Sequence, residues 1–506
     1  MFFLLIFSAI IFSQGLNDSN HSFYHRVINE FENISNQKIS NELFIWPLKA
    51  SKANNYYNFL KNYTSNSSIS PVMALRYSSS GFEMNLDNPY PILWISPGIQ
   101  FSMNQVLVKS LNPIWFHGSF KFYKHSAYGT NEKLIMGDAL SDESVFPIFL
   151  YNSDYQYGFY TPVKTDDGNG IDFDESSGSL SIMGSNFDLT FGKLKASLGP
   201  SSYSNLSLSH NMPIFDQLRF HYNYKDKIYL TFISGDLYSN IRADSLNSYY
   251  SEKLPILPRK VYNHRIDFSF FKKLRIGFYE QVITMPNNSG SFAYMNPFQL
   301  YWSAQHQQGD LDNLQMGFDF DCIFSKYRIY GALLVDEWAP YDTFNDNAHN
   351  WFAKQVGVSR IFNFNYNLMD IIFGYQRSAD GNLQKHFKGM LKFEYSSAEP
   401  QVYIHKFAIN NPYHHGYPIG LWSGGNSIDK RFSFILFINH SNETNPAFID
   451  LGYHNTRIGS PVYEEGVSLL SGPEIKSRNL IYLKIQKRIF YNIDYQFKVG
   501  YYQTEN

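Results

Sequence analysis

The chain has 506 residues and a formal net charge of −2, with charged residues at 17% and aromatics at 18%, the latter dominated by 39 Tyr and 45 Phe. A chain so close to neutral, with no basic run interleaved with aromatics, offers no field for nucleic acid. Its one cysteine, Cys322, excludes an intrachain disulfide and any multi-cysteine metal site.

Met1 to Gly15 is an apolar run too short to span a bilayer and followed by small residues, the shape of a secretory signal, although no Lys or Arg precedes it. No later segment approaches the length of apolar residues that a membrane helix needs. Residues 16–70 form an expected helical cap or plug. Within it Phe23, Val27, Phe31 and Ile34 make one helical stripe, and Tyr56, Phe59, Leu60 and Tyr63 make a weaker second one over 51–63.

Strands are expected from Pro71 to the end of the chain. Apolar and aromatic runs at 73–84, 92–103, 106–123, 155–162, 178–183 and 187–197 are broken by Asn, Gly, Pro and Ser. From Asp216 onward the candidates are 216–224, 228–236, 261–270, 274–283, 313–323, 328–337, 352–361, 368–376, 385–395, 401–409, 431–439, 447–455, 479–487 and 491–501. The clearest pattern lies between Val261 and Trp338. There Leu314, Met316, Phe318, Phe320 and Cys322 fall on one face, and Gln315, Gly317, Asp319 and Asp321 on the other. Most of these runs have the length at which a tilted strand crosses the hydrocarbon layer. The fold expected is an all-β transmembrane barrel of about 18 antiparallel strands, with a short N-terminal helical segment. The excess of Tyr and Phe suits the aromatic girdles of such a barrel.

Short connections at 225–227, 272–273, 325–326, 363–367 and 487–490 alternate with long ones at 237–260, 284–312, 338–351, 410–430 and 456–478. Short periplasmic turns and long extracellular loops are the usual rhythm of outer-membrane barrels. A periplasmic carboxyl terminus would instead put the 487–490 turn outside and the long connections inside, so pattern and count disagree on sidedness.

Four segments carry a family resemblance. The first runs from Leu198-Gly199-Pro200-Ser201 through Ser207-Leu208-Ser209-His210-Asn211-Met212-Pro213, with Ser201 where the second Gly of a Gly-Pro-Gly turn would stand. The second is Tyr294-Met295-Asn296-Pro297-Phe298, followed by the stretch from Gly309 to Phe320. The third joins Glu394-Tyr395-Ser396 to Tyr403-Ile404-His405, and the fourth joins Pro418-Ile419-Gly420 to Gly424-Gly425-Asn426-Ser427. In this order they resemble the Wzi-type capsule-assembly outer-membrane proteins. The resemblance implies an eighteen-stranded barrel with a periplasmic helical bundle, acting as a surface-polysaccharide lectin in capsule attachment.

Catalytic patterns are absent: there is no Gly-x-Ser-x-Gly elbow and no His-Glu-x-x-His. His405, His414 and His415 are read as polar loop residues. Asp166 to Glu175 has the oxygen ligands and glycines of a calcium loop, but Ile171 interrupts it, and a solvated acidic loop with no metal is expected. Sugars need aromatic faces for their C–H surfaces and amides or carboxylates for their hydroxyl rims. Trp302 with Gln305, His306, Asp310 and Asp312 provides that mixture in one long loop, and Trp338, Tyr341, Asp342 and Trp351 provide it in the next. Trp422 beside Asn426 is a third cluster.

The function expected is a non-enzymatic outer-membrane barrel, without cofactor. Its expected partners are surface or capsular polysaccharide and outer-membrane lipid. A diffusion channel or transporter, and an adhesion or motility component, are the alternative readings.

Overall fold

The computed structural model describes residues 8–11, 22–39, 45–46, 66–78, 92–109, 112–128, 163–164, 170–242, 256–284, 292–338, 340–343, 349–363, 386–414, 417–439, 447–464, 466–470, 475–490 and 493–505. The strands form one 19-stranded sheet in which every recorded pairing is antiparallel. Two of its members, Ser8–Ile11 and Val163–Lys164, are short. The long strands before the midpoint are Asn66–Ser78, Ile92–Val108, Ile114–Tyr128, Gly170–Met183 and Phe187–Leu194. Those after it are Phe215–Tyr224, Ile228–Arg242, Ile256–Phe270, Leu274–Ile283, Asn313–Phe324, Tyr327–Glu337, Trp351–Asn363, His386–Ala398, Ser427–Asn439, Ala447–Ile458, Lys476–Phe490 and Ile493–Glu505. Phe187–Leu194 pairs with Phe215–Tyr224 and joins the two halves. At the other seam Ser8–Ile11 pairs with Ile493–Gln496 and meets Ala74 through Ile10.

Period-two patterning sets the two faces of this wall. Phe278, Phe318, Ile329, Val356, Phe393, Phe432, Leu451 and Ile481 are exposed on the outside, where lipid takes the place of a protein core. Their sequence neighbours Tyr279, Asp319, Arg328, Gln355, Lys392, Glu394 and Arg431 point inward and are buried. Tight hairpins hold this register. In the turn Lys225–Asp226–Lys227 the first two residues have positive φ, 53° and 57°, the primed-turn backbone whose twist matches that of the flanking strands.

Several expected boundaries are corrected. Trp351–Asn363 pairs directly with His386–Ala398, from Ala353↔Ala398 to Asn363↔Lys388, and the expected strand at 368–376 lies outside the described residues. His386–Ala398 in turn pairs directly with Ser427–Asn439, which removes 401–409 from the wall. That stretch folds into the lumen instead, with Tyr403 at φ 64° and a 3-10 turn at Ala408–Asn410. The expected single run 106–123 is divided between Ile92–Val108 and Ile114–Tyr128, and the first long strand begins at Asn66, inside the expected helical segment. Gly170 to Glu175 opens a strand, not a solvated loop. The expected helix at 51–63 and strand at 155–162 lie outside the described residues.

The turns at 225–227, 271–273 and 325–326 share one end of the barrel, and the segments containing 292–312, 340–343 and 399–426 leave the other. Helix α1, Ser22–Asn36, sits in the lumen toward the short-turn end, where the Ile39 N–H donates to the Lys272 carbonyl at 2.8 Å. Its apolar stripe packs Val27 and Ile34 against Met390, Ile435, Phe437 and Phe448. Its other face, carrying Arg26, Asn29, Glu30 and Asn33, is buried as well. A polar helix face buried without water needs charged or hydrogen-bonding partners, and the lumen wall supplies them.

Candidate functional site

Three segments meet inside the barrel: α1, residues 195–214 and residues 399–426. The 195–214 segment, which contains the first family-like motif, is sealed from solvent around Ser201, Ser202, Ser204 and Asn205, all at 0% exposure. Ser201 Oγ donates to Glu394 at 2.6 Å, Gln355 to the Ser204 carbonyl at 2.7 Å, and Ser207 to Gln281 at 3.1 Å. From the other segment Tyr403 Oη donates to the Leu206 carbonyl at 2.6 Å. Small serines let this backbone lie against the wall, and their hydroxyls still meet buried donors or acceptors.

A charge network ties α1 to wall and plug. Glu30 is held by Lys392 at 2.5 Å and Arg328 at 2.8 Å, and Arg328 also pairs with Asp321 at 2.8 Å. Arg26 donates to Ser197 Oγ at 2.5 Å. Burial alone would raise the Glu30 carboxyl, but Lys392 and Arg328, with hydrogen bonds from Lys392 and Ser359, hold it down at about 2. Around the plug Trp351, Val402, Tyr403, Leu421 and Trp422 form one apolar cluster.

The structure separates the aromatic residues expected to face sugar. Trp351 and Trp422 are 3% and 6% exposed and join the same lumen cluster, Trp351 with its ring centroid 4.9 Å from that of Tyr463. Neither presents an open stacking face, which corrects that expectation. Asp312, 1% exposed, is likewise a structural acceptor, taking the Tyr294 hydroxyl at 2.9 Å.

Trp302, Gln305 and His306 belong to a helical hairpin, α2 at Phe292–Met295 and α3 at Tyr301–Gln307. This hairpin folds over the outside of the wall. Its Tyr294, Tyr301 and Ala304 pack on Phe232, Tyr262, Val282 and Leu314, all outward-facing strand residues. Gln305 donates to the Asp312 carbonyl at 2.6 Å, and His306 Nδ1 bonds the Trp302 carbonyl at 2.7 Å. These contacts shape the hairpin that carries Trp302 on the outer side of the wall.

What remains at the long-loop end is a compact polar and aromatic rim. Trp338 is 48% exposed and Tyr341 fully exposed, and Asp342 follows in the same 3-10 turn, Pro340–Asp342. Trp338 Nε1 donates to Thr343 at 3.1 Å, and Asn350 to the Asp342 carbonyl at 2.6 Å, which orders the turn. Asp310, Lys406 and His349 all act electrostatically on Glu337, so three separate loops converge there. Asn410 and Asn313 lock two of them, Asn410 Nδ2 to the Leu311 carbonyl at 2.7 Å and Asn313 Nδ2 to the Asn410 carbonyl at 3.1 Å. His405 lies under this rim, and burial, aided by the Lys406 charge, pushes it down to about 4. The Phe407 N–H donates to its Nδ1 at 3.2 Å, a bond only the neutral ring accepts. Sequence reasoning missed Glu337, His349 and Lys406, because nothing in their spacing shows that three loops meet. Among the described residues no group of three or more His, Cys, Asp or Glu is placed to hold a metal.

A family model for capsule assembly protein Wzi matches residues 115–455, well over half of the chain. The chain belongs to the Wzi capsule assembly family. The match spans two of the three lumen segments, 195–214 and 399–426, together with the rim, and its long strands belong to the antiparallel 19-stranded sheet. Among solved structures, one it is similar to is Escherichia coli Wzi, described as a carbohydrate-binding β-barrel involved in group 1 capsule assembly. Identity is 12%, with 98% of this chain and 96% of that one covered and a TM-score of 0.49. Acinetobacter baumannii OccAB1 matches at 9% identity, covering 87% and 91% with a TM-score of 0.42. Pseudomonas aeruginosa OprD matches at 7% identity, covering 87% and 95% with a TM-score of 0.36. No curated protein sequence matches the chain.

Proposed function

We propose that this Wzi-family barrel binds exported surface polysaccharide at its long-loop end and thereby holds or assembles the capsule. The reading is supported by one juxtaposition: Trp338 and Tyr341 expose their rings, with Asp342, on the loop that follows Glu337, and Glu337 lies within electrostatic reach of Asp310, His349 and Lys406 at the mouth of a lumen filled by the chain itself. Aromatic faces take the C–H surface of a pyranose, carboxylates accept its hydroxyl protons, and Lys406 suits an acidic sugar. The buried His405, a neutral acceptor of the Phe407 N–H inside the loop, supports a binding role for the rim. Residues 1–15 are read as the export signal, whose removal would take the short Ser8–Ile11 strand out of the seam, and the mass of the membrane-inserted protein tests this.

Titration of purified capsular polysaccharide into the refolded barrel is the direct experiment. Binding that survives unchanged in a Trp338→Ala, Tyr341→Ala double variant removes this site. In cells, gene deletion is expected to shift polysaccharide from bound to shed, which neither a channel nor an adhesin predicts. The channel reading has its own test in planar bilayers, where a filled lumen passes no steady current.

A further inference from the structure

The strand pairs beneath the outer hairpin break the rule that the outside of the wall is apolar. On the outward face the first two cross-strand rows at the long-loop end are Tyr262↔Val282↔Leu314 and His264↔Glu280↔Met316. The next row, Ile266↔Phe278↔Phe318, continues onto the lipid-facing wall, with Phe278 and Phe318 exposed by 48% and 42%. His264 and Glu280 form a 2.8 Å pair that would otherwise face lipid, where an ionisable group is costly.

The hairpin covers that pair. The Tyr301 ring stacks on His264 with centroids 4.0 Å apart and 12° between planes, and the Tyr301 N–H donates to Glu280 at 2.7 Å. The Pro297 carbonyl accepts from His264 Nδ1 at 3.1 Å, and Tyr301 Oη donates to the Tyr294 carbonyl at 2.9 Å. A wall pair so closely fitted to one hairpin fixes the hairpin at this height.

The hairpin's own outer surface is apolar. Phe292, Phe298, Leu300 and Trp302 are 85%, 81%, 62% and 53% exposed. From Phe292 to Gln308 there is no Asp, Glu, Lys or Arg, while Asn296, Gln299, His306 and Gln307 supply uncharged polar groups. An exposed apolar patch of this kind on a water-facing loop would be a liability. Aromatic and amide residues continuous with a lipid-facing wall are instead what the membrane–water boundary favours.

We propose that residues 292–307 form a membrane-interface anchor, whose occupant is the acyl-chain boundary of the leaflet at the long-loop end. Phe298, Leu300 and Trp302 enter that boundary, and the His264–Glu280 pair clamps the hairpin to the wall. The anchor widens the barrel's hold on the membrane directly beside the polysaccharide rim.

Site-directed nitroxides test this in full-length protein with Cys322→Ala, reconstituted in phosphatidylethanolamine–phosphatidylglycerol vesicles. Labels go on Phe298→Cys and Leu300→Cys, with Phe318→Cys as the lipid-facing reference and Tyr341→Cys as the water-facing one. Folding is checked by heat-modifiable gel mobility. Labels at 298 and 300 are expected to collide preferentially with oxygen over a water-soluble nickel chelate, as at 318. Collision behaviour matching 341 overturns the proposal. Spin–spin broadening between copies overturns it too, because it assigns the surface to a second barrel. Independently, brominated-chain lipids should quench wild-type tryptophan emission more than that of Trp302→Phe, and equal quenching counts against the anchor.

Discussion

Glu30 of α1 and Lys392 of the barrel wall lie 362 residues apart in sequence and are joined by a 2.5 Å ion pair in which both side chains are fully buried. With Arg328 on the second carboxylate oxygen, this pair is the electrostatic seat of the N-terminal helix.

Glu30→Gln should therefore loosen the helix. Removing one member of a buried ion pair costs about 3 kcal/mol, since the partner is left charged and desolvated. Thermal unfolding is expected at lower temperature, with current appearing in planar bilayers as α1 leaves its seat. A Glu30→Lys, Lys392→Glu exchange should recover part of the loss. The pH dependence has a definite sign. Because Glu30 is held at about 2, against 4.5 for an ordinary glutamate, its contribution is complete above about 4.5 and is lost as pH falls toward 2. Glu30→Gln should flatten the stability profile in that window.

Gly420 marks where the plug segments touch. A Cβ there would stand 2.2 Å from the Leu206 carbonyl oxygen and 2.6 Å from Tyr403 Oη. Gly420→Ala should cost about 1–3 kcal/mol through overpacking, seen as a lowered melting temperature. Gly118→Ala, whose Cβ meets only side-chain atoms at 3.6 Å and beyond, should be near neutral.

Replacing Trp338 and Tyr341 with Ala should weaken polysaccharide binding at least tenfold, the equivalent of losing about 1.4 kcal/mol, while heat-modifiable mobility stays normal. Trp351→Ala and Trp422→Ala should instead lower stability, because both rings are core. Trp302→Ala should leave glycan titrations unchanged. Calorimetry on the variants sorts the tryptophans by these responses.

His405 predicts acid sensitivity of the rim. Its imidazole is held at about 4, below the ordinary 6.5, so the unfolded loop binds the proton more readily than the folded one. The stability it contributes is intact above about 6.5 and falls as pH drops toward 4. Hydrogen exchange of 399–414 should rise across that interval in wild type and much less in His405→Phe.

Strand alternation made the wall legible from local sequence. Phe318 and Asp319 sort to opposite faces because side chains on a strand alternate, whatever the partner strand is. Length and turn residues placed most hairpins. The expected strand at 401–409 arose because an apolar run can equally be a lumen segment: Val402 and Tyr403 are buried, but against the plug.

The burial of the serine-rich 198–209 segment was not legible in the sequence, because small polar residues carry no periodic signal of what they face. Its Ser201 meets Glu394, 193 residues away. One clue to the outer hairpin was present in the sequence: His264 and Glu280 occupy outward positions in otherwise apolar rows, and such residues need a cover.

The sequence by itself determined a membrane wall with a polar inside and an apolar outside, because that depends only on alternation along each strand. Only the tertiary structure decided which connections fill the lumen, which one folds outside, and which aromatic rings stay open. Those outcomes depend on burial against partners up to hundreds of residues away, and no local pattern encodes the partner.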